Sequence, residues 1–399
     1  MKTCIINADI VSPNKVLPNQ ALIIEDDRIS EILSMEKFRF RNKEWDSCFD
    51  ARGAFLMPGF IDIHSDYIEG IIQPRPTSLM DFEMGLREAE RQLVGQGVTM
   101  IYHSLSLMNS KGNDKHCFRT RENLERLVGH IKRFHQARHL IHHRFHARYE
   151  IDNIEIYPYL VELLEEGAVH ELSFMDHTPG QGQYRDLEIF ARSYPSWDAD
   201  CSGKTMEEIL ATVKNKPMAS REMLKRLSEL AKKNNIPLAS HDDDTLEKLL
   251  LMKNEFQVGI SEFPIELEVA KKAKDEGLFV VVGAPNVILG ASHSGNLSAR
   301  EAIREGAADI LCSDYYPASL LYAAFTLEDE KICTLPQAVN MLTLNPARAV
   351  GISIDYGSLE QGKKADILAV RREGRHPMIN ACFIDGEEVL RLEYRRGAA

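Results

Sequence analysis

Hydrophobic and polar positions alternate differently at the ends of the chain and in its middle. Residues 1 to about 57 carry short strand-like runs, Cys4-Ile5-Ile6, Ala21-Leu22-Ile23-Ile24 and Ile29-Ser30-Glu31-Ile32. The turn-prone pair Asp26-Asp27 separates the last two. The same texture returns from about residue 353, in Ala365-Asp366-Ile367-Leu368-Ala369-Val370 and Cys382-Phe383-Ile384-Asp385-Gly386-Glu387. There Asp385-Gly386 suits a two-residue hairpin turn. Between the ends, apolar runs near 60–66, 98–105, 144–150, 170–176, 236–242, 257–262, 278–284 and 308–314 predict strands. Helical periodicity falls between them, as in Phe82 to Val94, Thr120 to Phe134, Ser220 to Asn234 and Pro264 to Glu276. Strand–helix alternation repeated about eight times predicts an α/β chain built on a (β/α)8 TIM-like barrel. The expected organisation is a barrel over 58–350, with a small β-sandwich assembled from 1–57 and 351–399. Residues 177–215 lack a clear period and are expected to form a loop or lid on the active face.

Five of the apolar runs end in side chains that bind metals. They are Phe60-Ile61-Asp62-Ile63-His64-Ser65-Asp66, His146-Ala147-Arg148-Tyr149-Glu150, Ser173-Phe174-Met175-Asp176-His177, Leu238-Ala239-Ser240-His241-Asp242-Asp243 and Asp309-Ile310-Leu311-Cys312-Ser313-Asp314. In a parallel barrel the C-terminal strand ends converge on the catalytic face. His, Asp and Glu are also the donors of hydrolytic zinc and manganese sites. The pattern points to a metallohydrolase.

Charge narrows the partners. With 48 basic and 60 acidic residues the formal charge is -12, which argues against nucleic acid or an anionic membrane surface. A small anionic substrate needs only a local basic pocket. Seven scattered cysteines without a CxxC pair favour free thiols in a reducing cytoplasm. The first 30 residues carry no signal-peptide pattern and no run reaches membrane-span length. There is no GxxxxGK[ST], and no GxGxxG ahead of a helix, so nucleotide-loop readings fail.

His64 and Asp66 stand at i and i+2, so on a strand both point the same way and can chelate one ion. They follow Met57-Pro58-Gly59-Phe60-Ile61-Asp62, and together the stretch resembles the first-strand signature of the amidohydrolase superfamily, PGxIDxHxH. Asp314 closes the last strand, where that superfamily places its metal-bound catalytic aspartate. Asn345-Pro346-Ala347-Arg348 and Gly357 to Ile367 resemble its return into the small β domain. The departure is Asp66, a harder donor than the usual second histidine, which shifts metal preference from zinc towards manganese or iron, or leaves one ion instead of two.

A narrower resemblance rests on His64-Ser65-Asp66, Pro74-Arg75-Pro76, Met175 to Gln183, Ser240-His241-Asp242-Asp243, Ser261-Glu262-Phe263-Pro264, Gly283-Ala284-Pro285-Asn286, Gly290 to Asn296 and Ser313-Asp314-Tyr315. These are similar to the α-D-ribose 1-methylphosphonate 5-triphosphate diphosphatase family of the carbon–phosphorus lyase pathway. That family removes pyrophosphate from a phosphorylated sugar. The resemblance implies His64, Asp66, His177, His241 and Asp314 as metal ligands, with Glu150 as a bridging carboxylate. It implies one or two divalent ions, zinc first and manganese or iron after it. His146, Arg148 and Glu150 share one strand face, so the competing reading of Glu150 is a structural pair with Arg148.

Asp314, able to reach both metal and water, is the expected general base. For the phosphates, Arg75 is the first candidate, because flanking prolines fix its backbone and a guanidinium fork fits phosphate oxygens. Arg148, Arg185 and the loop Ser292-His293-Ser294, ahead of the helix expected from Ala299, are further candidates. His103, His116, His130, His135, His139, His142 and His143 are expected to be structural or solvated. Two other functions compete: hydrolysis of a C–N bond in a small cyclic or acylated amine, and a barrel that has lost catalysis and serves assembly. A homo-oligomer is compatible with all of them.

Overall fold

The computed structural model describes residues 1–40, 44–107, 118–178, 182, 216–290 and 296–394. Eight parallel strands form the barrel: β1 (Phe60–Ser65), β2 (Val98–Ser106), β3 (His142–Glu150), β4 (Glu171–Met175), β5 (Leu238–His241), β6 (Ile260–Glu262), β7 (Phe279–Gly283) and β8 (Ile310–Cys312). Each pairs with its sequence neighbours. The ring meets itself between β1 and β8 through a single bridge, Ser65 opposite Asp314. There the Asp314 N–H donates to His64 O at 3.0 Å and the Asp66 N–H to Asp314 O at 2.9 Å. Below them the Ser313 hydroxyl donates to Ser65 Oγ at 2.7 Å. The Ser313 N–H donates to Asp62 Oδ1 at 3.0 Å.

Alternation sorts the strand residues as period two requires. Ile61, Ile63, Met100, Tyr102, Ala239, Ile260, Val281 and Ile310 fill the barrel interior. Their outward neighbours, such as Phe60, Ile101 and Leu172, pack under the helices. The helices begin where short polar residues cap them. Asp81 accepts from Met84 N ahead of Phe82–Val94, Thr120 from Asn123 N ahead of Arg121–Gln136, and Ser220 from Met223 N ahead of Arg221–Lys233. The helix expected from Pro264 instead starts at Leu267 and ends at Asp275. Phe263, at φ +53, turns the chain before it.

The two ends of the chain share one eight-stranded mixed sheet. Its order runs Glu387–Arg391, His376–Ile384, Ile367–Glu373, Phe55–Pro58, Lys2–Val11, Val16–Glu25 and Arg28–Ser34, with Ser47–Asp50 also on Lys2–Val11. Ile5, Leu22, Leu56, Ile367 and Phe383 meet in its core, so both ends are needed to bury it. Phe55–Pro58 pairs antiparallel with Ile367–Glu373 and then feeds β1 through Gly59 alone. A Cβ on Gly59 would lie 2.1 Å from Thr99 Oγ1, which explains the glycine in the Met57-Pro58-Gly59 run. The small sheet thereby sets where β1, and the metal-binding types at its end, emerge. Among the described residues no helix is long and apolar enough to cross a membrane.

Candidate metal centre

The strand ends gather their titratable side chains around a cavity of about 260 Å³, lined by His64, Asp66, Arg148, His241, Asp242 and Asp314, with Phe263 and Tyr315 among the others. β1 delivers His64, almost fully buried, and Asp66, which caps the helix Tyr67–Ile72 without spending its carboxylate on a cap bond. Asp314 follows β8 in the left-handed region at φ +57. Its backbone bonds to His64 and Asp66 hold the β1 and β8 ends in one register. Asp and Asn tolerate that backbone region better than other side chains, and the strain marks a site where position matters.

Carboxylates orient the imidazoles. His64 Nδ1 lies 2.6 Å from Glu262 Oε1, and His241 Nδ1 lies 3.2 Å from Glu262 Oε2. One fully buried carboxylate at the end of β6 therefore takes the Nδ1 protons of two histidines on β1 and β5. His177, just past β4, places Nδ1 3.0 Å from Glu150 Oε1 on β3. With Nδ1 engaged, Nε2 is the nitrogen by which each ring would meet an ion. Beneath them, fully buried His146 sets Nδ1 3.1 Å from Ile63 O and Nε2 3.0 Å from Ser173 Oγ. Burial drives its pKa down to about 3, so it packs as a neutral ring 5.2 Å from His64.

The electrostatics are those of a cage for positive charge. Burial, then the neighbouring carboxylates Glu69 and Asp314, push Asp66 up to about 7. Burial alone would lower His177, yet the Glu150 and Asp242 carboxylates raise it to about 10. A proton is thus held where carboxylates converge, and a cation would meet the same field.

A family model for the amidohydrolase family matches residues 199–389. The alpha-D-ribose 1-methylphosphonate 5-triphosphate diphosphatase of Escherichia coli (strain K12) is 32% identical over 390 residues, covering 94% of this chain and all of that protein. The chain belongs to the amidohydrolase family. Among solved structures, this amidohydrolase is similar to molinate hydrolase, with a TM-score of 0.64, 14% identity and coverage of 100% of this chain and 98% of that one. It is also similar to N-acetylglucosamine-6-phosphate deacetylase from Pasteurella multocida, with a TM-score of 0.63, 12% identity and coverage of 97% and 99%. The chain is accordingly a hydrolase on a barrel of that family.

The donor set of this amidohydrolase fits a divalent transition metal. His177, His241 and Asp242 form a group whose donor atoms lie within 4.8 Å of one another; His64, His146 and Glu262 cluster as closely, but Glu262 there accepts from the rings and both His146 nitrogens are bonded. Asp242 Oδ2 is buried without a hydrogen-bond partner among the described residues, which a cation would remedy.

Of the residues expected from sequence, His64, Asp66, Arg148, His241 and Asp314 line the cavity, and Glu150 and His177 join it through hydrogen-bonded or ionic neighbours. Arg148 Nε also donates to Met175 Sδ at 3.2 Å. Arg75 is exposed on a tight turn bridged to Ser78, outside the cavity lining. Arg185 and Ser292, His293 and Ser294 lie outside the described residues, as does almost all of the expected lid. His103 and His143 pair 2.9 Å apart in the core and reach Glu90, while His142 bonds Asp366. None of these lines the cavity.

Glu262, Asp242 and His146 were not expected at the site. The signal for Glu262 was available, because Ser261-Glu262 ends an apolar run just as His241 and Asp314 do. Asp242 gave none beyond standing next to His241.

Proposed function

We propose that this amidohydrolase is a divalent-metal-dependent diphosphatase that removes pyrophosphate from α-D-ribose 1-methylphosphonate 5-triphosphate, leaving the 5-phosphate. The observation that carries the reading is the similarity to the Escherichia coli diphosphatase along its whole length. His64, Asp66, His177, His241 and Asp314, with Glu150, are the residues that would hold the ion or ions, zinc in the first instance. When bound, such an ion acidifies water and offsets negative charge developing on phosphate oxygens. Asp314, on the cavity wall beside β1, takes the proton of the attacking water and passes it to the departing pyrophosphate. Arg148, the cationic side chain of the described cavity wall, neutralises phosphate charge in a setting where carboxylates otherwise dominate. Arg75, on its turn outside the cavity lining, is the proposed contact for the terminal phosphate. Arg185, Ser292, His293 and Ser294 complete the proposed phosphate contacts.

The test is product identification by phosphorus NMR after incubating the metal-loaded protein with ribose 5-triphosphates bearing a 1-phosphonate, and with a panel of acylated and cyclic amines. Release of pyrophosphate and a 5-phosphate is the expected result. Turnover of an amine substrate with no change in the triphosphate would overturn the assignment in favour of C–N bond hydrolysis.

A further inference from the structure

Three aspartates follow His241 in sequence, and the fold treats each differently. Asp243 is fully buried and satisfied, accepting from the Ser240 hydroxyl at 2.6 Å and the Ser261 hydroxyl at 3.1 Å. Asp244 accepts from the Gly182 N–H at 2.7 Å. Asp242 is 5% exposed, lines the cavity, and keeps Oδ2 buried with no hydrogen-bond partner among the described residues. Its backbone sits in the left-handed region at φ +52, pinned by an N–H donating to Glu262 O at 2.9 Å. A buried carboxylate oxygen with no hydrogen bond, on a strained residue, is costly unless something compensates it.

The surroundings indicate what does. Asp242 Oδ2 lies 3.7 Å from His177 Nε2 and 3.6 Å from His241 Nε2. Both separations are too long for hydrogen bonds. They match donors on a shared ion instead, since ligands about 2.0–2.2 Å from a tetrahedral metal stand about 3.4 Å from one another. The opposite faces of both rings are already committed, His177 Nδ1 to Glu150 and His241 Nδ1 to Glu262. A carboxylate behind a ligating histidine is the arrangement that fixes its tautomer and turns Nε2 towards the metal.

We propose that Asp242 Oδ2, with His177 Nε2 and His241 Nε2, forms a three-donor site for a divalent transition-metal ion, and that Glu150 and Glu262 act on that ion through the imidazoles they orient. The proposal rests on the metal-dependent reading above and deepens it: Asp242 joins the ligands, and Glu150 moves from bridging ligand to orienting partner. An oxygen donor beside two nitrogens suits zinc and also admits manganese or iron.

The experiment uses the full chain stripped of metal, titrated with zinc alone against a chromophoric chelator, and followed in parallel by thermal melting. Asp242→Asn should weaken zinc binding by about three orders of magnitude, beyond the roughly 10–100-fold cost of losing an orienting partner. It should also lose most of the zinc-induced rise in Tm. Without metal, the same variant should melt close to the parent, because Asp242 Oδ2 stands only in long ion pairs there and His177 keeps Glu150 as its nearer carboxylate. Asp244→Asn should bind zinc as the parent does. If Asp242→Asn keeps parental zinc affinity while His177→Asn and His241→Asn lose it, the Asp242 assignment falls and the metal-dependent reading stands. If the parent itself shows no zinc binding sensitive to His177 or His241, the broader reading falls first. A metal-free Asp242→Asn protein melting well below the parent would make the carboxylate structural and likewise overturn the assignment.

Discussion

Replacing Glu262 by Gln tests how far the site depends on one carboxylate serving two histidines. Glu262 is fully buried and takes Nδ1 protons from His64 at 2.6 Å and His241 at 3.2 Å. Glutamine keeps the shape but offers one acceptor and one donor. Its oxygen can serve one ring, and its NH2 then opposes the N–H of the other. One charge-assisted bond, worth about 1.5–3 kcal/mol, is lost, and the remaining one becomes a weaker neutral bond. Part of that loss is recovered by tautomer or ring adjustment, so zinc affinity should fall about 10–100-fold, or roughly 1.4–2.7 kcal/mol. Glu262→Ala should cost more, leaving both Nδ1–H groups buried without an acceptor. The assay is chelator competition for zinc, read alongside nitrogen-15 histidine spectra that report which ring nitrogen carries the proton. Zinc affinity within about threefold of the parent, with both tautomers unchanged, would refute the shared-carboxylate argument.

Chelation of the purified protein should abolish hydrolysis and zinc should restore it, while Asp314→Asn should retain bound metal yet lose activity by about 10²–10⁴-fold; activity surviving metal removal would remove the basis of the mechanism. His142, at the start of β3, places Nε2 3.1 Å from Asp366 Oδ2; burial opposes its charge, but Asp366 wins and its pKa is raised. A raised folded pKa stabilises below the unfolded value near 6.5 and loses that contribution as pH rises through the folded value. His142→Asn should therefore cost more stability at about pH 6 than at about pH 9 in urea melts, by on the order of 1–2 kcal/mol, and equal costs would refute the pair. Gly386→Ala should destabilise by at least about 2–3 kcal/mol, since φ is +77 and a Cβ would lie 2.3 Å from Asp26 O. Gly374→Ala, at φ +62 with open space around it, should cost only about 1–2 kcal/mol, and a similar loss at both positions would contradict the packing argument.

The barrel was legible because each strand is a short apolar run and each helix carries its own cap, as at Asp81, Thr120 and Ser220. His64, Asp66, His241 and Asp314 were legible because they stand just beyond such runs, where parallel strands must end. Composition could not separate Asp242 from Asp243 and Asp244. What separates them is a positive φ at Asp242 and two serine hydroxyls, one on a neighbouring strand, that absorb Asp243. Glu262 ends an apolar run too, but its pairing was hidden: its partners lie 198 and 21 residues away in sequence, and only the barrel's curvature brings them to one carboxylate. Arg75 shows the converse. Its flanking prolines do define the local backbone, but as a turn at the surface, outside the described cavity lining.

The pairing of Phe55–Pro58 with Ile367–Glu373 also imposes an order on biosynthesis. A ribosome releases the first metal-binding residues some three hundred positions before the strand that anchors their approach. Until that strand emerges, the early strand keeps one edge unpaired and β1 waits for β8 to close the ring. Contacts this distant along the chain are slow to form and leave sheet edges open to wrong partners. The nascent protein therefore passes much of its synthesis with an unfinished active face, and it gains a competent site only when its last strands arrive.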